Sequence, residues 1–182
     1  MDLIRLLQGL ASRARIAFYR VSGMQIHGHV SLRAIEVPQR AQCITLENGA
    51  ALDRGVVLLA TSDTARIVIG SQVYINRHTM IDADALVEIG NQTMIGPFCY
   101  ITDHDHSIRA GKPPGEGPLV SAPTRLGARC WIGAHVTILK GVSIGDDTTV
   151  GAGSVVTKSL PAGVVAAGNP ARILKTLTDA ES

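Results

Sequence analysis

Residues 126–156 read LGARCW IGAHVT ILKGVS IGDDTT VGAGSV V when cut every six residues. An aliphatic residue opens each block: Leu126, Ile132, Ile138, Ile144, Val150 and Val156. Glycine follows all of them but Ile138, which precedes Leu139, and Val156, which precedes Thr157. A helix repeats near 3.6 residues and a lone strand at 2, so a period of six fits neither. It fits a solenoid whose coil has three short flat sides. The aliphatic side chain then points into the prism, and the small residue behind it lets the backbone turn the corner.

The register extends upstream through Ile69, Ile75 and Ile81, then through Ile89, Ile95 and Ile101. The step from Ile81 to Ile89 is eight, which places a two-residue insertion at about Asp84–Leu86. The step from Ile101 to Leu126 is 25, so an excursion leaves the coil there. Four clear coils result. Upstream of Ile67 the pattern loosens, and Ile44, Leu46 and Val56–Ala60 suggest one or two further coils. The organisation expected is an N-terminal helix with irregular leading coils over 1–66 and a regular solenoid over 67–182, all in one structural domain. Residues 103–125 form an extended loop rich in Gly and Pro, and such long insertions are commonly functional. After Pro161 and Pro170 a short closing helix is expected from Ala171 to about Leu177.

Residues 3–20 read as a helix with Leu3, Leu6, Leu7, Leu10 and Ala17 roughly on one face and Arg5, Arg13, Arg15 and Arg20 elsewhere. One reading is a cap on the open end of the solenoid. The other is a basic amphipathic helix making peripheral contact with an anionic membrane.

At 182 residues the chain is long enough to bury a core, and its 19 glycines and few aromatics suit a narrow aliphatic prism. A net charge of +2 indicates no nucleic-acid-binding surface. Cys43, Cys99 and Cys130 lack CxxC spacing, which argues for a reducing compartment and against a cysteine zinc site. No signal-peptide pattern or spanning apolar run is read, and a cytoplasmic location is expected, with the inner membrane face as an alternative.

Further motifs come in order: Trp131-Ile132-Gly133-Ala134, Gly141-Val142-Ser143-Ile144-Gly145, Val150-Gly151-Ala152-Gly153-Ser154-Val155-Val156-Thr157-Lys158, and Val165-Ala166-Ala167-Gly168-Asn169-Pro170-Ala171. Over about residues 67–177 the chain resembles the hexapeptide-repeat O-acetyltransferases, nearest to those that modify sugars and polysaccharides. The resemblance implies an all-β fold, a left-handed parallel β-helix. It also implies acetyl-CoA as co-substrate, no metal, and a homotrimer with active sites between subunits. Residues 1–66 do not resemble the leading subdomain of the maltose and galactoside enzymes. They look more like that of acetyltransferases from polysaccharide clusters, which shifts the expected acceptor toward a glycan or its lipid-linked precursor.

A hydroxyl acceptor needs a base, and neutral imidazole can serve. The loop opens Asp103-His104-Asp105-His106. Counted from Pro97 in the family register, His106 is the catalytic base, and His104 is a solvated or substrate-side residue. Asp103 or Asp105 orients a ring or caps the turn. The same register places Asn76 and Asp84 at the acceptor pocket. Asn76 equally suits a left-handed corner, and Asp84 equally suits a plain turn. The resemblance runs the pantetheine arm past Trp131, Gly133, Ala134, Gly151 and Ala152, although hexapeptide corners need small residues in any case. Thr157, Lys158, Arg172 and Lys175 are expected at the phosphates of CoA.

Two rivals stand on the same fold. One is a γ-class zinc carbonic anhydrase, for which His78, His104, His106 and His135 are available. The other is a non-catalytic binding module, which leaves the Asp-His-Asp-His turn unexplained.

Overall fold

The computed structural model describes residues 3–177 as one helix followed by a three-sided parallel β-solenoid. Its first face stacks Gln25–Ile26, Ile44–Leu46, Arg66–Ile69, Leu86–Ile89, Thr124–Leu126 and Ser143–Ile144. The second stacks Ser31–Leu32, Ala51–Leu52, Tyr74–Ile75, Met94–Ile95, Trp131–Ile132, Thr149–Val150 and Val164–Ala167, all parallel. The third stacks Val57–Ala60, Met80–Ala83, Tyr100–Thr102, Thr137–Ile138 and Val155–Val156. One second-face strand per coil gives seven coils among the described residues. Two of them, over residues 25–60, belong to the leading segment and pair in register with the next coil through Ile44↔Ile67 and Leu52↔Ile75.

Every six-spaced aliphatic residue stacks on its counterpart one coil away. Leu32, Leu52, Ile75, Ile95, Ile132 and Val150 form one such column, and all are buried. A second inward residue stands two positions earlier and is frequently a small hydrogen-bond donor. Thr79 Oγ1 donates to the Gly96 carbonyl at 2.9 Å, Thr93 to Gly127 at 2.8 Å, and the Cys99 and Cys130 thiols to Gly133 and Gly145 at 3.1 and 3.2 Å. The cysteines are thus corner donors, and burial pushes both thiols up from their ordinary range.

The glycine after the aliphatic residue has a different reason from the expected one. The left-handed residue of each corner lies two positions further on, at Gln72, His78, Gln92, Phe98, Arg129, His135 and Asp147. The glycines are instead squeezed between coils. A Cβ on Gly90 would stand 2.5 Å from the Gly127 carbonyl carbon, and one on Gly133 would stand 2.6 Å from the Ala152 amide nitrogen.

One terminal expectation is corrected. The segment expected to be a closing helix is a strand, Arg172–Thr176, which runs antiparallel to Val164–Ala167. It covers the open edge of the last parallel strand, a requirement that local helix propensity does not register. The N-terminal helix, α1 (Leu3–Val21), lies over the first coil, as the capping reading has it. Leu6, Leu7 and Leu10 are each about half exposed, and the side chains of Leu3 and Arg5 lie outside the described residues. The docking face combines Ile16, packed against the core, with polar and aromatic residues. Ser12 Oγ accepts the Leu32 amide at 2.9 Å, Arg15 Nη1 donates to the Leu32 carbonyl at 3.3 Å, and the Tyr19 hydroxyl donates to the Ile35 carbonyl at 3.3 Å. A first coil has no preceding coil to satisfy its backbone, and α1 supplies those partners.

Gly90→Ala is expected to destabilise the protein by about 2 kcal/mol or more, because the backbone of Gly127 and Ala128 that it would meet cannot yield. Gly115→Ala, with open space around it, should be nearly neutral. Urea denaturation of the two variants side by side checks this.

Candidate functional site

Small residues stacked at the corner between the second and third faces leave a groove of about 370 Å³. Asn76, Pro97, Gly133, Ala134, Gly151 and Ala152 line it, with Trp131 along its side. Two columns build its floor. Register places Asn76, Gly96, Gly133 and Gly151 in one, and Pro97, Ala134 and Ala152, which follow the last three, in the other. Trp131 points outward in a ladder running Tyr74, Met94, Trp131, Thr149, and it is 60% exposed. An outward indole beside a floor without side chains leaves room for an extended, partly apolar ligand. Asn76 is not in the left-handed region. Its Oδ1 accepts the Arg77 amide at 2.8 Å, which corrects the reading of Asn76 as a corner residue. The final strand extends the same face, with Lys175 opposite Val165 and Arg172 opposite Ala167.

The remaining predicted residues stand at another corner, between the third and first faces. The insertion is built there. The Asp103 carboxylate, fully buried, accepts the amides of Asp84, Ala85 and Leu86 at 2.8, 2.8 and 2.5 Å. One side chain therefore caps the two extra residues of the eight-residue step. From this anchor an antiparallel arm projects, His104–His106 paired with Leu119–Ser121. Ser121 Oγ donates to Asp84 Oδ2 at 2.5 Å, and Thr61 Oγ1 donates to Asp84 Oδ1 at 2.9 Å. These two bonds, Ser121 foremost, hold the Asp84 carboxyl below the ordinary range. Lys140 pins the arm through Asp105 at 2.9 Å and the Val120 carbonyl at 3.0 Å.

The two histidines differ in surroundings. The His104 side chain is 9% exposed, with Nδ1 at 3.0 Å from Asp103 Oδ1 and Nε2 at 3.8 Å from Asp82 Oδ2. Asp82, which the sequence analysis does not single out, is buried beneath it. Desolvation pushes its carboxyl up, against the pull of His104 and the Tyr100 hydroxyl, which donates at 3.1 Å. His106 stands exposed on the arm opposite Leu119. Thr157 and Lys158 are exposed after the last third-face strand, at this same corner. Arg172 and Lys175 lie instead on the strand that extends the second face.

The zinc rival needs histidines that converge. His78 and His135 instead flank Phe98 as a stack, with centroids 5.1 Å apart on each side. Among the described residues no group of three or more His, Cys, Asp or Glu is arranged to hold a metal.

Asp103→Asn is expected to cost about 3 kcal/mol, since an amide cannot accept what a buried carboxylate accepts from three backbone N–H groups. The Asp84 carboxylate should add a stability contribution that is present above the ordinary aspartate pKa and lost as pH falls below it. Denaturation of Asp84→Asn and the parent across pH 3–7 should show the two curves converging at the acid end.

Residues 123–158 match the family model described as bacterial transferase hexapeptide (six repeats). The chain is 40% identical over 119 residues to a galactoside O-acetyltransferase of Escherichia coli strain K12, a match covering 63% of this chain and 56% of that protein. Against a putative acetyltransferase of Saccharomyces cerevisiae it is 30% identical over 161 residues, covering 87% of this chain and 82% of the relative. The solved structure of a galactoside acetyltransferase in complex with coenzyme A superposes with a TM-score of 0.61 at 26% identity, over 91% of this chain and 70% of that one. The chain belongs to the hexapeptide-repeat acetyltransferase family.

Proposed function

We propose that the protein transfers an acetyl group from acetyl-CoA to a hydroxyl of a sugar or polysaccharide precursor. The observation that carries this is the groove floored by Gly133, Ala134, Gly151 and Ala152, flanked by Trp131 and ending at Asn76. Its width and lack of side chains suit a pantetheine arm lying against backbone. Arg172 and Lys175 continue that face past the last coil, where the cofactor phosphates would leave it.

The base in this reading is His106. The ring of His104 is enclosed between two carboxylates and serves to hold the arm. His106 takes the proton of the acceptor hydroxyl as its oxygen attacks the thioester carbonyl carbon. The tetrahedral intermediate then collapses with rupture of the C–S bond, and the imidazolium returns its proton to the departing thiolate. Asn76 offers a neutral amide to the acceptor, and Asp84 stands at the base of the arm.

The groove and the arm occupy two corners separated by the third face, so one chain does not bring Asn76 and His106 together. A homotrimer in which the arm of one subunit reaches the groove of the next resolves this, and it brings Lys158 to the cofactor from the neighbouring copy. No described helix is long and apolar enough to cross a membrane. The outward Leu6, Leu7, Leu10, Phe18 and Val21 of α1, beside Arg13 and Arg20 and without an acidic residue, suit peripheral contact with an anionic bilayer at the cytoplasmic face.

His106→Ala should lower kcat by about 10²–10⁴-fold with acetyl-CoA affinity unchanged. His104→Ala should be milder and should lower stability. Steady-state kinetics on both variants with saturating acceptor decide this, and an inactive His104→Ala beside an active His106→Ala reverses the assignment.

A further inference from the structure

An open cavity of about 330 Å³ lies between α1 and corner residues of the first three coils, and nothing in the acetyl-transfer reading uses it. Its lining is basic. Arg15 comes from α1, Arg33 from the first coil, Arg54 from the second and Arg77 from the third, with Asp53 the one acidic residue among them. Asp53 is buried and lies 3.4 Å from Arg33. Burial alone would raise its carboxyl. The Arg54 amide at 2.7 Å, Arg33, the Tyr74 hydroxyl at 3.3 Å and Arg77 outweigh that and hold it below the ordinary range. The cavity therefore keeps three positive charges in excess at neutral pH.

The arrangement of the arginines is the second observation. Arg54 and Arg77 occupy the same corner position on consecutive coils, since the next backbone bonds are Gly55 N to Ala34 O, His78 N to Arg54 O and Phe98 N to Arg77 O. Consecutive coils are about 4.8 Å apart. Like charges on neighbouring rungs repel, and neither guanidinium has a hydrogen-bond or ion-pair partner among the described residues. Arg15 is held in place by the Leu32 carbonyl. Unpaired, stacked and partly pre-positioned guanidinium forks suit an anion with several oxygens.

The third observation is alignment. The corner column that carries Arg54 and Arg77 continues as Pro97, Ala134 and Ala152, the floor of the cofactor groove. Tyr74 lines that groove and bonds Asp53 in the basic cavity. Asn76 lies at the junction, and the basic cavity extends away from the end where Arg172 and Lys175 stand. We infer that the cavity of Arg15, Arg33, Arg54 and Arg77 binds the phosphate groups of a diphosphate-linked acceptor whose sugar lies at Asn76. That the anion belongs to an acceptor rests on the acetyl-transfer reading; that the cavity binds a diphosphate does not.

Calorimetric titration of the full-length protein with inorganic pyrophosphate at fixed ionic strength tests the site. The parent should bind it, Arg54→Gln/Arg77→Gln should bind at least tenfold more weakly, and Lys112→Gln, on the arm, should match the parent. Saturating CoA should leave the affinity unchanged. Absence of binding, an unaltered double variant, or displacement by CoA would overturn the assignment. Acetyl transfer to one hexose offered free, as a nucleoside diphosphate ester and as a prenyl diphosphate ester then identifies the source. The favoured ester should lose at least tenfold in kcat/KM in the double variant while the free sugar does not. Equal use of all three by the parent would count against the proposal. Failure of all transfer with pyrophosphate binding intact would sink the enzymatic reading and leave the anion site standing.

Discussion

Every feature of this molecule depends on coils stacking in register at the strand spacing of about 4.8 Å. The constraint acts on two positions at once. The inward residue must be aliphatic, because its column fills the prism. After the first and second faces its successor is mostly glycine, because the next coil passes within van der Waals distance, as Gly90 against Gly127 and Gly133 against Ala152 show. The second requirement also builds the groove. A corner stripped of side chains for packing is a corner where backbone lies open to a ligand, so the architecture supplies a narrow channel without any residue dedicated to it. What distinguishes the channel is the set of exceptions placed along it: Trp131 beside it, Asn76 at one end, and Arg172 and Lys175 past the other.

The regular coils were legible because their period is imposed by geometry rather than by propensity. The two-residue insertion was legible too, as the eight-residue step from Ile81 to Ile89. Its physical counterpart was harder to read. Asp103 caps three amides of a turn 17 to 19 residues upstream, and from the sequence it was equally a ring-orienting or a turn-capping aspartate. Asp82 carried no signal, because an outward strand residue becomes buried only when the arm folds over it. The C-terminal element was misread for a related reason. At the N-terminal end the first coil presents unpaired backbone, and Ser12, Arg15 and Tyr19 of α1 face it. At the other end, an exposed strand edge turned Arg172–Thr176 into a strand.

The candidate site was legible residue by residue, yet its division was not. Asn76, Trp131 and the small residues of the groove share one corner, while Asp84, His106, Thr157 and Lys158 share another. Sequence spacing shows neither corner, since both recur every coil and successive motifs alternate between them. The division gives the proposed trimer a chemical reason: each chain carries half of two sites.

That proposal is tested most directly by mixing two inactive proteins. Asn76→Ala and His106→Ala, denatured together and refolded at equal ratio, form mixed trimers in which some interfaces pair an intact groove with an intact arm. Random pairing of subunits at three equivalent interfaces predicts recovery of roughly a quarter of the parent activity. Each variant refolded alone should stay inactive. No recovery from the mixture, with trimers verified by sedimentation, would contradict a site shared between subunits, as would a parent protein that sediments as a fully active monomer.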